Sequence, residues 1–310
     1  MYNSKYKNGE RYKWNTKKEE DMEEQKYIIK NVQSFEPKHI FECGQCFRWD
    51  KAEDGSYIGI VKNNVLSVKK EGKDIIFKGM CEENIKQICT YYFDLDRNYE
   101  QIKQTLSKVD HYLENSILYG SGIRILNQDL WETIISFIIS ANNNIPRIKG
   151  IIQKLSQAYG NKIEWDGKTY YTFPTVKELS KASVQDLRSL GLGFRDKYVY
   201  ETTRKILNEE INLNKMHEQI DTEKLRKTLL TLPGVGPKVA NCILLFSTLK
   251  RFDVFPIDVW VRRVMNDLYI KKEDETKVNK KEIESLAKQK YGNLEGIAQQ
   301  YLFYWKRDLA

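Results

Sequence analysis

Residues 232–258 constrain this chain more than any other stretch. Leu232-Pro233-Gly234-Val235-Gly236 reads as a tight hairpin in which the two glycines let the backbone turn and bring bare N–H groups close to a ligand. Pro237 suits the first position of a new helix, and Lys238 follows one residue inside it. Val239 to Phe246 continue that helix; the chain leaves it near Lys250 and reaches Phe255-Pro256-Ile257-Asp258. Asp258 precedes Val259-Trp260-Val261-Arg262-Arg263, a plausible next helix that it would cap. A phosphate-gripping hairpin, an amine and a carboxylate therefore share one short stretch.

This order of elements resembles the helix-hairpin-helix DNA glycosylases, whose hairpin is followed by a Gly/Pro loop and an aspartate. The resemblance implies that Lys238 is a nucleophilic lysine and Asp258 an essential aspartate, and that the enzyme is also an AP lyase. The chemistry suits those residue types. Cleaving an N-glycosidic bond builds oxocarbenium-like charge on the sugar, which a nearby carboxylate stabilises. A neutral amine can attack C1′, hold the sugar as a Schiff base and open the way to β-elimination. Such an amine must be partly desolvated or sit near positive charge, and a helix N-terminus supplies a positive field. Taken singly, Lys238 reads as a surface charge, Asp258 as an N-cap, and the hairpin as a turn or a DNA-backbone clamp.

Other segments resemble the 8-oxoguanine DNA glycosylases in particular. Cys242 lies four residues after Lys238, and Phe303 four after Gln299 in a C-terminal helical stretch. Spacing alone makes Cys242 and Phe303 core residues; the resemblance implies that they sandwich the extruded base while Gln299 bonds its edge. In Phe41-Glu42-Cys43-Gly44-Gln45-Cys46-Phe47-Arg48-Trp49, Gly44 takes the place of a glycine whose carbonyl accepts from the lesion's N7–H. Guanine presents a lone pair there, so the same carbonyl would face an acceptor. Ser140-Ala141-Asn142-Asn143-Asn144-Ile145-Pro146-Arg147 and Leu190-Gly191-Leu192-Gly193-Phe194-Arg195 complete the pattern. Asn142 would fill the vacated stack, Arg147 and Arg195 would read the orphaned cytosine, and Phe194 would wedge where the family commonly has tyrosine. The amides of Val235 and Gly236, with or without a bound cation, would hold a backbone phosphate. Gly122 to Asp129 resembles the family's lead into its helical region. Trp260 departs from the histidine usual in eukaryotic members, and its indole N–H could still donate to a phosphate.

The chain has 310 residues, of which 41% are hydrophobic, enough for a real core. A net charge of +8 favours an anionic partner. Five irregularly spaced cysteines suggest a reducing compartment, and Cys43-x-x-Cys46 without a second Cys/His pair reads as free thiols and no metal site. There is no apolar run long enough to span a membrane and no secretory apolar stretch. The expected fold is α+β: a charged tail over 1–29, an antiparallel-sheet domain over 30–127, and a mostly α-helical helix-hairpin-helix region over 128–310. Within the second part, strands flank Asn63-Asn64 and a further one covers Asp74 to Phe77, with helices near Glu82 to Tyr92 and Tyr99 to Ser116.

The expected function is removal of 8-oxoguanine, preferably opposite cytosine, from double-stranded DNA by an intracellular, monomeric enzyme without a redox cofactor. Two alternatives stand beside it: a non-catalytic DNA-binding module that uses the hairpin as a clamp, and a glycosylase of the same superfamily for another damaged base. Members of the endonuclease III kind usually carry a four-cysteine iron–sulfur cluster after the catalytic region; here Cys242 is the last cysteine.

Overall fold

Alternation of inward and outward side chains builds a sheet from the first part of the chain. The computed structural model describes residues 22–308. Strand β1 (Glu23–Ile29) and helix α1 (Pro37–Phe41) precede β2 (Trp49–Lys51), β3 (Tyr57–Val61), β4 (Asn64–Glu71) and β5 (Asp74–Cys81). The strands pair antiparallel in the order β1-β5-β4-β3-β2. Trp49 is opposite Gly59, where a Cβ would come within 2.3 Å of the indole, so only glycine admits the ring. Phe41 stacks on Trp49 at 4.1 Å, and Phe35, Phe77 and Phe93 complete this core with α2 (Ile85–Tyr92).

Three expectations shift here. The charged tail over 1–29 stops short, because Glu23–Ile29 is an edge strand with Gln25, Tyr27 and Ile29 half-buried. Charged outward residues, common on sheet edges, hide its period of two. Residues 1–21 lie outside the described residues. The hairpin turns one residue early, at Lys62-Asn63, since Asn64 already pairs with Val61. The helix expected over Tyr99 to Ser116 is two, α3 (Tyr99–Ser107) and α4 (His111–Tyr119), because Asp110 starts a new one by accepting the Leu113 N–H at 3.0 Å.

Helices then dominate. α5 (Leu130–Ser140) is buried at every residue but Glu132, which is partly exposed, as a helix rich in isoleucine with only small hydroxyl residues elsewhere on its polar stripe should be. After α6 (Ile145–Tyr159) comes a small hairpin of β6 (Lys162–Trp165) and β7 (Lys168–Tyr171), in a break between expected helices of a region expected to be mostly helical. Its Asp166-Gly167 turn, with φ of 51° and 67°, is a strong local hairpin signal. The chain continues through α7 (Val176–Leu179), α8 (Val184–Ser189), α9 (Asp196–Leu207), α10 (Leu213–Glu218) and α11 (Thr222–Leu229). The expected motif helices follow as α12 (Pro237–Phe246) and α13 (Val259–Met265), then α14 (Lys280–Tyr291) and α15 (Glu295–Asp308). α5 packs against α6, α9 and α12, while α15 packs against α4, α13 and α14.

Arg124 sits inside the molecule, 4% exposed, just ahead of the helical region. Its guanidinium donates to the carbonyls of Phe93 (2.9 Å), Ser34 (3.1 Å), Asp94 (2.5 Å) and Arg97 (3.2 Å) and lies over the Tyr99 ring. Arg124→Ala would leave those acceptors unmet and should cost about 3–5 kcal/mol, read by urea unfolding. A loss under about 1 kcal/mol would mean that water replaces the guanidinium.

Candidate active site

The hairpin joins α11 to α12. Asp221 starts α11 by accepting the Glu223 and Lys224 N–H groups at 2.9 and 3.1 Å. Leu232 and Val235 anchor the turn in the core. Gly234 needs its lack of a side chain twice over: φ is 79°, and a Cβ would lie 2.9 Å from the Tyr198 side chain. Gly236 differs, with φ of −89° and open space where its Cβ would be, so it keeps the surface accessible rather than making the turn. One expectation needs correcting: the Val235 amide already donates to the Leu232 carbonyl at 3.1 Å, so it is not a free phosphate donor as Gly236's can be. Pro237 opens α12 as expected, and Lys238 follows, half-buried.

Lys238, Cys242 and Asp258 come together. The Lys238 Nζ lies 5.5 Å from the centre of the Phe137 ring, and its charge bears on the Cys242 thiol one helical turn further on. Burial pushes the Cys242 thiol pKa up; Lys238 opposes that rise and the Asp258 charge adds to it, so both groups bear on one sulfur. Asp258 caps α13, its Oδ1 accepting the Val261 N–H at 2.8 Å. Asn241, on the same helix as Lys238, donates to the Phe255 carbonyl at 3.2 Å and ties down the loop leading to Asp258.

A second group forms around Gly44. Its φ is 84°, and a Cβ there would lie 3.5 Å from Phe303 Cε1, so α15 and the Phe41–Trp49 segment are in close approach. Gln299 is 5% exposed, and its Oε1 is buried with no partner among the described residues, an acceptor available to a ligand's donor. Phe137 links the two groups: Phe47 meets it edge-on at 5.5 Å while Lys238 stands over it. Sequence reasoning missed Phe137, Gln300 and Arg307. The last two act across the fold, donating to the Cys43 and Glu42 carbonyls, for which no local pattern exists.

The third group lies between α5 and α9. Asn144 caps α6 by accepting the Arg147 N–H at 3.0 Å, while Asn142 is exposed with φ of 50°. Arg147 is exposed and reaches the Gly191 carbonyl at 3.4 Å. Phe194 is 57% exposed. Arg195, expected to read a base, is 2% exposed, and its guanidinium is spent on the Ala141, Asn142 and Leu192 carbonyls. It shapes the Asn142 turn as it stands. Trp260 also departs from expectation: its indole N–H is buried and has no acceptor among the described residues, so it presents no donor to a surface phosphate.

Comparison with known proteins gives a consistent picture. Residues 27–134 match the family model of the 8-oxoguanine DNA glycosylase N-terminal domain, and residues 135–292 that of the HhH-GPD superfamily of base excision DNA repair proteins. The probable N-glycosylase/DNA lyase of Methanothermobacter thermautotrophicus is 32% identical over 72% of this chain and 75% of its own. A structure of MBOgg1 with a low-affinity DNA ligand superposes with a TM-score of 0.86 at 46% identity, covering 93% of this chain and 98% of that one. The Clostridium acetobutylicum 8-oxoguanine glycosylase/lyase, in complex with double-stranded DNA containing cytosine opposite 8-oxoguanine, gives 0.86 at 44% identity over the same shares.

One group near this site titrates in a useful range. Glu295, 6% exposed at the start of α15, has its carboxyl pushed up to about 7 by burial and by Asp253 and Glu284, against the pull of Lys288 and Arg226. A carboxyl raised in this way holds its proton more tightly in the folded state than in the unfolded one. Its contribution is therefore fully present below about pH 4.5 and is lost as pH rises through about 7. Glu295→Gln should thus stabilise the chain by about 2–3 kcal/mol at pH 8 and change little at pH 4.5, in thermal melts at the two pH values. Equal effects at both would show that the carboxyl is not buried in this way.

Proposed function

The chain belongs to the HhH-GPD superfamily of base excision DNA repair proteins, and from that premise we propose that it is a bifunctional 8-oxoguanine DNA glycosylase and AP lyase. The observation that carries the reading is the placement of half-buried Lys238 in the first turn of the helix that follows the hairpin, with Asn241 of that helix bonded to the Phe255 carbonyl in the loop that leads to Asp258. The substrate is a DNA duplex with 8-oxoguanine opposite cytosine, handled by one copy of the chain in the compartment that holds the DNA. The hairpin's open Gly236 face and the positive end of α12 take a backbone phosphate. The lesion leaves the stack, and Phe194 and Asn142 occupy the gap. Arg147 reads the orphaned cytosine, and Arg195 joins it once its guanidinium is released from the three carbonyls.

Gly44 accepts from N7–H, Gln299 bonds the pairing edge, and Cys242 and Phe303 grip the ring on its two faces. Lys238 gives up a proton to become the neutral amine, and its lone pair then forms a bond to C1′ as the bond from C1′ to the base breaks. The bonding electrons leave with the base, which takes up a proton. Asp258 stabilises the charge that builds on the sugar. Opening of the sugar ring gives the Schiff base, and loss of a C2′ proton expels the 3′ phosphate.

Borohydride trapping on duplexes with one 8-oxoguanine opposite each of the four bases tests this. A covalent adduct should form, strongest opposite cytosine. Lys238→Gln should lower trapping by at least about a thousandfold while lesion binding persists. An adduct that forms without Lys238 would overturn the nucleophile, and tight binding with no adduct would leave a binding module.

A further inference from the structure

We propose that Arg307, with Gln300, is a positioning residue that sets the Gly44 carbonyl against Phe303 and thereby sets how well the pocket tells 8-oxoguanine from guanine. This rests on the reading of Gly44 given above. Two successive carbonyls of the segment are held from one helix. Gln300, 2% exposed, donates Nε2–H to the Cys43 carbonyl at 2.9 Å, and Arg307 donates Nη2–H to the Glu42 carbonyl at 2.7 Å. The next carbonyl, that of Gly44, has no donor among the described residues. The Glu42 carboxylate is itself held by the Tyr57 hydroxyl, so the segment is tied to the sheet on its other side.

The same guanidinium lies 5.6 Å from the Phe303 ring and 5.5 Å from the Tyr304 ring, and its Nη1 is 3.9 Å from where a Gly44 Cβ would stand. One side chain therefore lies beside the ring proposed to cover the base and bonds the backbone two residues before the carbonyl proposed to read it. Two anchors on adjacent peptides fix the tilt of the third as well as its place. A charged donor makes the stronger of the two bonds. Tilt matters because the contrast between the bases is one hydrogen: N7–H donates to the carbonyl, whereas a guanine lone pair faces it. Hydrogen bonds weaken steeply with misalignment, so a carbonyl free to drift accepts less from the lesion and repels guanine less. Abasic DNA carries no base at this position, so Lys238 and Asp258 should act on it whether or not the carbonyl is held.

The test compares the parent chain with Arg307→Met, Arg307→Lys and Gln300→Met. Single-turnover excision is measured on an 8-oxoguanine·cytosine duplex, duplex affinity on that and on its guanine·cytosine counterpart, and strand cleavage on an abasic duplex. Arg307→Met should lose about tenfold in excision and about tenfold in the affinity ratio, with abasic cleavage within about twofold of the parent. Arg307→Lys, which keeps a charged donor, should recover part of the ratio, and Gln300→Met should fall in the same direction as Arg307→Met. An unchanged affinity ratio in Arg307→Met overturns the proposal. So does an equal loss of excision and abasic cleavage, which would mark a general structural role. A parent that cleaves abasic DNA but does not excise 8-oxoguanine would instead overturn the assignment of the pocket.

Discussion

The buried amide of Gln45 holds together parts of the chain that are far apart in sequence. Wholly inaccessible, it donates to the Ile40 and Arg124 carbonyls at 2.8 Å each and accepts the Leu126 N–H at 2.9 Å. Its own carbonyl accepts from Gln128, which also donates to the Phe246 carbonyl at the end of α12. The residue after Gly44 is thus bonded to the lead into α5 and, through one more amide, to the helix that carries Lys238. Buried amides cost several hydrogen bonds if displaced, and a fully satisfied network admits few alternative arrangements. The sheet layer and the helical region therefore meet in one register, and the base-facing segment inherits it.

From that junction the site extends by packing. Phe47 follows Gln45 by two residues and meets Phe137, and Phe137 stacks on Phe246 at 5.7 Å as well as lying under Lys238. The amine thus projects over an aromatic floor built from the same contacts that join the two regions. On the far side, Tyr198 of α9 lies against Gly234 and meets Phe194 edge-on at 6.3 Å, while Thr202 donates to the Pro233 carbonyl at 3.2 Å. The hairpin and the exposed ring are parts of one docked unit. A backbone phosphate gripped at the first and a base gap filled by the second would be held at a set separation.

What the sequence discloses follows from the range of the interactions involved. The hairpin, the proline start of α12 and the aspartate cap of α13 are legible because each is a bond or a φ angle settled within a few residues. The core character of α5 is legible because isoleucine, leucine, phenylalanine and tryptophan dominate it and its polar stripe is a single glutamate with small hydroxyl residues. β1 is not, since charged residues occupy its outer positions and only its partner β5 makes it a strand. The state of polar groups is the least legible. Whether Val235 has a free amide, Trp260 a free indole N–H or Arg195 a free guanidinium depends on carbonyls and walls that no local pattern discloses. Gln45, Gln300 and Arg307 share that property, because their partners lie on the backbone of distant or unpatterned segments.

The burial that hides those groups also bears on which atom does chemistry. A thiolate is intrinsically a stronger nucleophile than an amine, and Cys242 stands one helical turn from Lys238. Only the thiolate reacts, however, and Cys242 is 3% exposed with its pKa pushed up by burial. The ammonium beside it pulls the other way, as it would at an activated cysteine, but does not win, and the Asp258 charge reinforces the rise. The sulfur therefore stays protonated, uncharged and polarisable, a surface suited to lie against the flat face of a base. The amine, half-buried at the start of α12, is left as the group accessible enough to reach a sugar. On the proposed reading, the division between a contact sulfur and a reacting nitrogen comes from burial, which excludes water from the one and leaves the other at the edge of the core.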